Sequence, residues 1–151
     1  MIQTTNNVLL LSIRPQYAER IFNGSKRIEL RRTRPRVKQG DIVVIYVSSP
    51  VKAIKGAFWV DHVLEAEPDK LWGQVGLLAG IGRDEYDQYY AGAQTAFGIA
   101  VSAPWSFIKP VGLSQLRELW MGFHPPQSYR YLTEQELNAI TAHGGQVSGR
   151  A

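Results

Sequence analysis

The sequence predicts one α+β domain, a small β-barrel of about five to seven short strands flanked by short helices. Three observations carry this. The apolar runs are short and punctuated by Gly, Pro, Asn and Ser; helical spacing recurs only in brief stretches; and no strand–helix–strand rhythm builds a doubly wound sheet. At 151 residues the chain is the size of a single domain able to bury a real core. Its 44% hydrophobic and 20% charged residues exclude general disorder.

The elements follow in order. Val8 to Ile13 is an apolar strand of the buried kind, too short for a signal peptide or a membrane span. Pro15 opens a short helix in its favoured first-turn position, with Tyr17 and Ile21, and Ala18 and Phe22, four apart on the inward face. Asn23-Gly24 ends it, Gly24 suiting the left-handed position past a helix end. From 26 to 32 the residues alternate: Ile28 and Leu30 face one way, Arg27, Glu29 and Arg31 the other, as in a half-exposed strand.

Asp41 to Val47 is apolar on both faces and β-branched, which predicts a central strand. Ser48-Ser49-Pro50 turns the chain, and Ala53 to Leu64 is a long strand with a bend at Gly56. Arg83 to Tyr90 reads as a helix with Asp84 and Glu85 in its first turn and Gly92 beyond its end. Thr95 to Ala103 is a strand, and Trp105 to Ile108 a second one. Leu113, Leu116, Leu119 and Trp120 have helical spacing, and Thr133 with Glu136 forms a capping box that starts a last short helix. The domain is expected over residues 1–143, with 144–151 as a tail.

The charge is unevenly spread. Lys26, Arg27, Arg31, Arg32, Arg34, Arg36 and Lys38 are seven of the 17 basic residues and share their segment with one acid, Glu29. That segment alone carries +6, against +4 for the whole chain, the footprint of a polyanion-binding surface. A solvated arginine-rich loop is the plain alternative.

At Gly24-Ser25-Lys26-Arg27-Ile28-Glu29-Leu30-Arg31 the chain spells G-x-K-x-x-E-x-R, which resembles the signature of the ASCH family within the PUA-like superfamily. The lead-in LLSIRPQYAERIFNG and the segments YVSSPVKAIKGAF and PPQSYRYL are similar to bacterial stand-alone members. The resemblance implies a PUA-like barrel with a cleft between barrel and helices, and single-stranded RNA as partner. Within the wider family it points to RNA binding, RNA cleavage, removal of an acetyl group from 4-acetylcytidine, or coactivator function. In amidohydrolase-like members the signature lysine is catalytic and a threonine stands three residues later. Here Glu29 holds that place, which argues against that activity.

Cysteine is absent, so disulfides, thiol catalysis and cysteine-held zinc are excluded; a reducing cytoplasm fits. His62, His124 and His143 have no metal-binding spacing, and no metal or cofactor is expected. The remaining toolkit is Lys, Arg, Tyr and Ser. Cleavage of RNA by its own 2′-hydroxyl needs a base, an acid and cations around phosphorus, which these residues can supply. Tyr46 ends the central strand, Lys52 follows the Ser48–Pro50 turn, and Ser128 follows the rigid Pro125-Pro126 pair; these are the expected catalytic residues. Lys26, Glu29, Arg31, Arg32, Lys55, Gln127 and Arg130 are the expected RNA contacts. Two other classes stay open: an amidohydrolase using Lys26 with a carboxylate such as Glu29, Asp61 or Glu65, and a non-catalytic regulatory module.

Overall fold

The structure, a computed structural model, describes residues 6–144. Six strands form one mixed sheet in the order β2-β5-β4-β3-β1-β6: β1 Val8–Ile13, β2 Ile28–Arg31, β3 Ile42–Val47, β4 Ala53–Ala66, β5 Ala96–Gly112 and β6 Tyr129–Leu132. Five helices accompany it: α1 Pro15–Phe22, α2 Pro68–Val75, α3 Arg83–Tyr89, α4 Leu113–Leu119 and α5 Glu134–Gly144. The expected barrel needs one correction. The edge strands β2 and β6 do not pair, so the sheet stays open. Side chains bridge that seam instead: Arg31 at the end of β2 donates to the Ser128 carbonyl at 3.0 Å, and the Tyr131 hydroxyl donates to the Arg36 carbonyl at 2.8 Å.

Alternation along the strands divides the core. One face of β1 and β3 (Leu9, Leu11, Val43, Ile45) packs with Ala18 and Ile21 of α1. The other (Val8, Leu10, Val44, Tyr46) packs with Leu116 of α4 and Ile140 of α5. A third cluster joins Ile28 and Leu30 to Leu71 and Val75 of α2, to Tyr86 of α3 and to Tyr90 just past its end. β3 lies between a parallel β1 and an antiparallel β4, and both of its faces are covered, one by α1 and the other by α4 and α5, which explains why both are apolar.

Several elements differ from expectation for identifiable reasons. The two strands expected around Pro104 are one, β5, which continues through a bulge where Ala103 has φ +47° and Pro104 offers no N–H to the ladder. The helix α2 and the strand β6 lay in segments to which no element was assigned. In β2 the charged face is covered: Glu29 is buried and Arg31 half-buried. Of the expected tail, 144–151, residues 145–151 lie outside the described residues, and Gly144 is instead the buried last residue of α5.

Tyr86 and Tyr90 also make the fold sensitive to alkali. Burial pushes the Tyr86 hydroxyl from its ordinary 10 up to about 12, and pushes Tyr90 up as well. Below pH 10 both states keep these protons; above it the unfolded chain ionises first. The denaturant midpoint is therefore expected to hold to about pH 10 and to fall through about pH 12, a decline that Tyr86→Phe should flatten.

Candidate functional site

A cleft of about 460 Å³ lies between the end of β1, the start of α1, strand β2, helix α3 and the loop before β6. Its charged residues are Arg14, Lys26, Arg31, Glu29 and Glu85, and Tyr17, Tyr89, Gln88 and Gln127 add aromatic and amide surface. A larger depression of about 790 Å³ beside α2 and α3 is lined by Glu67, Asp69 and Asp87 and has no cation in its wall. A polyanion fits the first and not the second.

Lys26 precedes β2 and is buried. Its Nζ donates to the Ala79 carbonyl at 2.7 Å and sits 5.4 Å from the centroid of the Tyr17 ring. The Gly80 backbone closes over its stem: a Cβ on Gly80, at φ +68°, would lie 2.6 Å from the Lys26 Cβ. Burial holds the Lys26 ammonium below the usual lysine range, the Glu29 charge offsetting part of this and Arg20 adding to it. The ion pair of Glu29 is with Arg31, Nη1 to Oε2 at 3.3 Å.

The rest of the basic segment is dispersed by the fold. Arg32 caps the C-terminal end of α3 through the carbonyls of Tyr89 at 2.7 Å and Ala91 at 3.2 Å. Arg34 pairs with Glu65, and Lys38 pairs with the buried Asp41 at 3.2 Å. Five of the seven cations therefore have protein partners, and only Lys26 and Arg31 of the seven line the cleft.

Of the expected catalytic residues, Tyr46 is in the core, 2% exposed, on the face covered by α4 and α5. It stands directly beside Ser12 across the parallel β1–β3 pair, and Ser12 is in the cleft wall. The Ser12 hydroxyl donates to the Pro126 carbonyl at 2.7 Å, which fixes the loop carrying Gln127 and Ser128. Ser128 is half-buried and its carbonyl is held by Arg31. Lys52 is exposed in the β3–β4 turn with φ +53°, at the same end of the sheet, where the Ser48 N–H donates to the Ile13 carbonyl at 3.0 Å. No hydrogen bond joins Tyr46, Lys52 and Ser128 directly among the described residues. Burial keeps the Tyr46 hydroxyl protonated, its pKa raised despite the nearby Arg117 charge.

Three expected RNA contacts, Arg32, Lys55 and Arg130, lie outside the cleft wall. Arg130 packs over Trp120 and Phe123 and pairs with Glu136 at 2.6 Å; Lys55 is exposed on β4 opposite an excursion of β5. The cleft adds residues the sequence reading passed over: Ser12, Arg14, Tyr17, Glu85, Gln88 and Tyr89. One signal for them was present. Glu85, Gln88 and Tyr89 are spaced i, i+3, i+4 on α3, opposite the inward Tyr86 and Tyr90. Among the described residues no group of three or more His, Asp or Glu side chains is placed to hold a metal ion. No described helix is long and apolar enough to cross a membrane.

Residues 11–109 match the ASCH domain family. A Zymomonas mobilis protein described as an ASCH domain-containing ribonuclease is 30% identical over 140 residues, spanning 91% of this chain and 93% of the relative. The crystal structure of ASCH from Zymomonas mobilis superposes with a TM-score of 0.85 at 27% identity, covering 93% of this chain and 98% of the other. Structures of a tyrosine-to-phenylalanine and a serine-to-alanine variant of that protein match at 0.84 and 0.83, each at 26% identity. The first covers 93% of this chain and 99% of the other, the second 93% and 96%. The N-terminal domain of Staphylothermus marinus McrB shares the fold at a TM-score of 0.58 and 15% identity, covering 91% and 94%. On the sequence match and the fold together, the chain belongs to the ASCH domain family.

Proposed function

We propose that this protein is a cytoplasmic, metal-independent endoribonuclease acting on single-stranded RNA held in the cleft. The observation that carries the reading is the junction at the cleft wall. Arg31 reaches both the cleft and the Ser128 carbonyl, while Ser12, in the same wall, adjoins Tyr46. The Zymomonas mobilis relative described as a ribonuclease supports it, as do the variants made there at the same two residue types, tyrosine and serine. The strained backbone of Lys52 adds to this, since positive φ at a non-glycine residue persists where the fold or function demands it.

In the proposed reaction the 2′-oxygen attacks phosphorus, the bond from phosphorus to the 5′-oxygen breaks, and a 2′,3′-cyclic phosphate and a 5′-hydroxyl result. Lys52 takes the 2′-hydroxyl proton. Tyr46, kept protonated by burial, returns one to the leaving 5′-oxygen, and solvent resets both. Arg14 and Arg31 offset the charge at phosphorus, and Ser128 positions the phosphoryl oxygens. Labelled single-stranded RNA incubated in EDTA should be cut by the wild type. Tyr46→Phe, Lys52→Ala and Ser128→Ala should each lose about 10²- to 10⁴-fold in rate. Intact RNA with wild type, or equal cutting by all four proteins, would overturn the assignment.

One observation favours a second reading, hydrolysis of an acylated nucleoside such as 4-acetylcytidine: burial lowers the pKa of Lys26, and Glu29 lies near. Release of acetate from 4-acetylcytidine that Lys26→Ala abolishes and Tyr46→Phe spares would select it over the nuclease.

A further inference from the structure

We infer that Glu29 reads the base, accepting a hydrogen bond from the exocyclic amino group of a cytosine or adenine lodged in the cleft. The inference rests on the proposed RNA-binding reading and adds to it a base preference.

The Glu29 side chain is 7% exposed, and its Oε2 is held by Arg31. Its other oxygen, Oε1, accepts no hydrogen bond from the described residues, and it is not among the fully buried side-chain polar atoms. Glu29 lines the cleft, so Oε1 is reached from there. An ionised carboxylate only accepts hydrogen bonds and repels a phosphate. The pocket at Glu29 Oε1 is therefore built for a neutral group with a donor, and the phosphates belong away from it, between exposed Arg14 and the Ser128 side of Arg31.

Ligand entry strips water from Oε1. A base that donates to it restores the lost bond, while a base that presents an acceptor leaves a charged oxygen unsatisfied, which is how polar sites reject analogues most strongly. Cytosine and adenine carry an amino group at the exocyclic position of the Watson–Crick edge; uracil carries an oxygen there. Lys26 complements this. Its ammonium spends one hydrogen on the Ala79 carbonyl and keeps two for the ring nitrogen next to that amino group. Tyr17 and Tyr89 in the same wall offer rings for stacking.

The test uses the intact protein and 2′-O-methyl oligonucleotides, which lack the hydroxyl needed for cleavage. Oligo(C) and oligo(A) should bind roughly tenfold more tightly than oligo(U). Glu29→Gln, whose amide can donate to the uracil oxygen, should bring the three within about threefold. Should Glu29→Gln fail to fold, wild type supplies a second arm: N4,N4-dimethylcytosine, stripped of both amino hydrogens, should bind no better than uracil. Equal wild-type affinity for all bases, or undiminished binding of the dimethylated oligomer, overturns base reading while RNA binding stands. Failure of every oligomer to bind removes both.

Discussion

Gly56→Ala is expected to destabilise the protein by about 3 kcal/mol or more, the upper end for overpacking. Gly56 sits at the bend of β4, where the ladder with β5 shifts register. A Cβ placed there would lie 2.2 Å from the Trp105 carbonyl oxygen and 2.7 Å from Cε1 of Phe22. The first neighbour is backbone of the paired strand and cannot swing aside, so relief means parting β4 from β5 or displacing α1. For a domain of this size the melting temperature should drop by roughly 6 to 12 °C. Gly73→Ala is the control. It lies within α2 with nothing within 4 Å of its added Cβ, and should be neutral or up to about 1 kcal/mol stabilising.

Arg31→Ala should be comparably damaging, and to activity as well as stability. It leaves the buried Glu29 carboxylate without its counter-ion, a loss that costs about 3–5 kcal/mol when one member of a buried pair is removed. It also frees the Ser128 carbonyl, so the loop would keep only the Ser12 anchor. Removing both charges should cost less than removing Arg31 alone. A double-mutant cycle of Arg31→Leu and Glu29→Leu, read by denaturant unfolding, measures this directly. If the double variant were no more stable than Arg31→Leu, the carboxylate is not what makes the arginine indispensable.

Local chemistry was legible in the sequence wherever a few neighbouring residues decide the outcome. Pro15 opens α1, Gly24 takes φ +87° past its end, and the Thr133–Glu136 box forms both reciprocal bonds, at 2.9 and 3.0 Å. The bend at Gly56 and the central place of β3 followed from residue type and from two apolar faces. What distant segments decide was not legible. Alternation in β2 set Glu29 opposite the apolar face correctly, but alternation cannot say that α1, α3 and the 126–128 loop cover the charged side. The basic run likewise read as one patch, because Glu65 and the end of α3, which hold Arg34 and Arg32, are remote in sequence, while Asp41, three residues after Lys38, lies just past the run. Arg130 was misplaced because its nearer neighbours Trp120, Phe123 and Glu136 hold it outside the cleft wall.

The bridged seam bears on how copies of this protein treat one another. β2 and β6 are sheet edges of four residues each, with backbone groups that the ladder leaves unpaired. Such edges recruit strands from neighbouring molecules and seed aggregation or domain exchange. Here the Leu30 and Arg31 carbonyls of β2 accept from the Tyr89 and Tyr90 hydroxyls at 3.3 and 3.1 Å, while Arg31 and Tyr131 each tie an edge strand to the loop beside the other. Removing Arg31 loosens the loop beside β6, so cleft variants at Arg31 are expected to aggregate more readily than the wild type, which light scattering of the purified proteins would read.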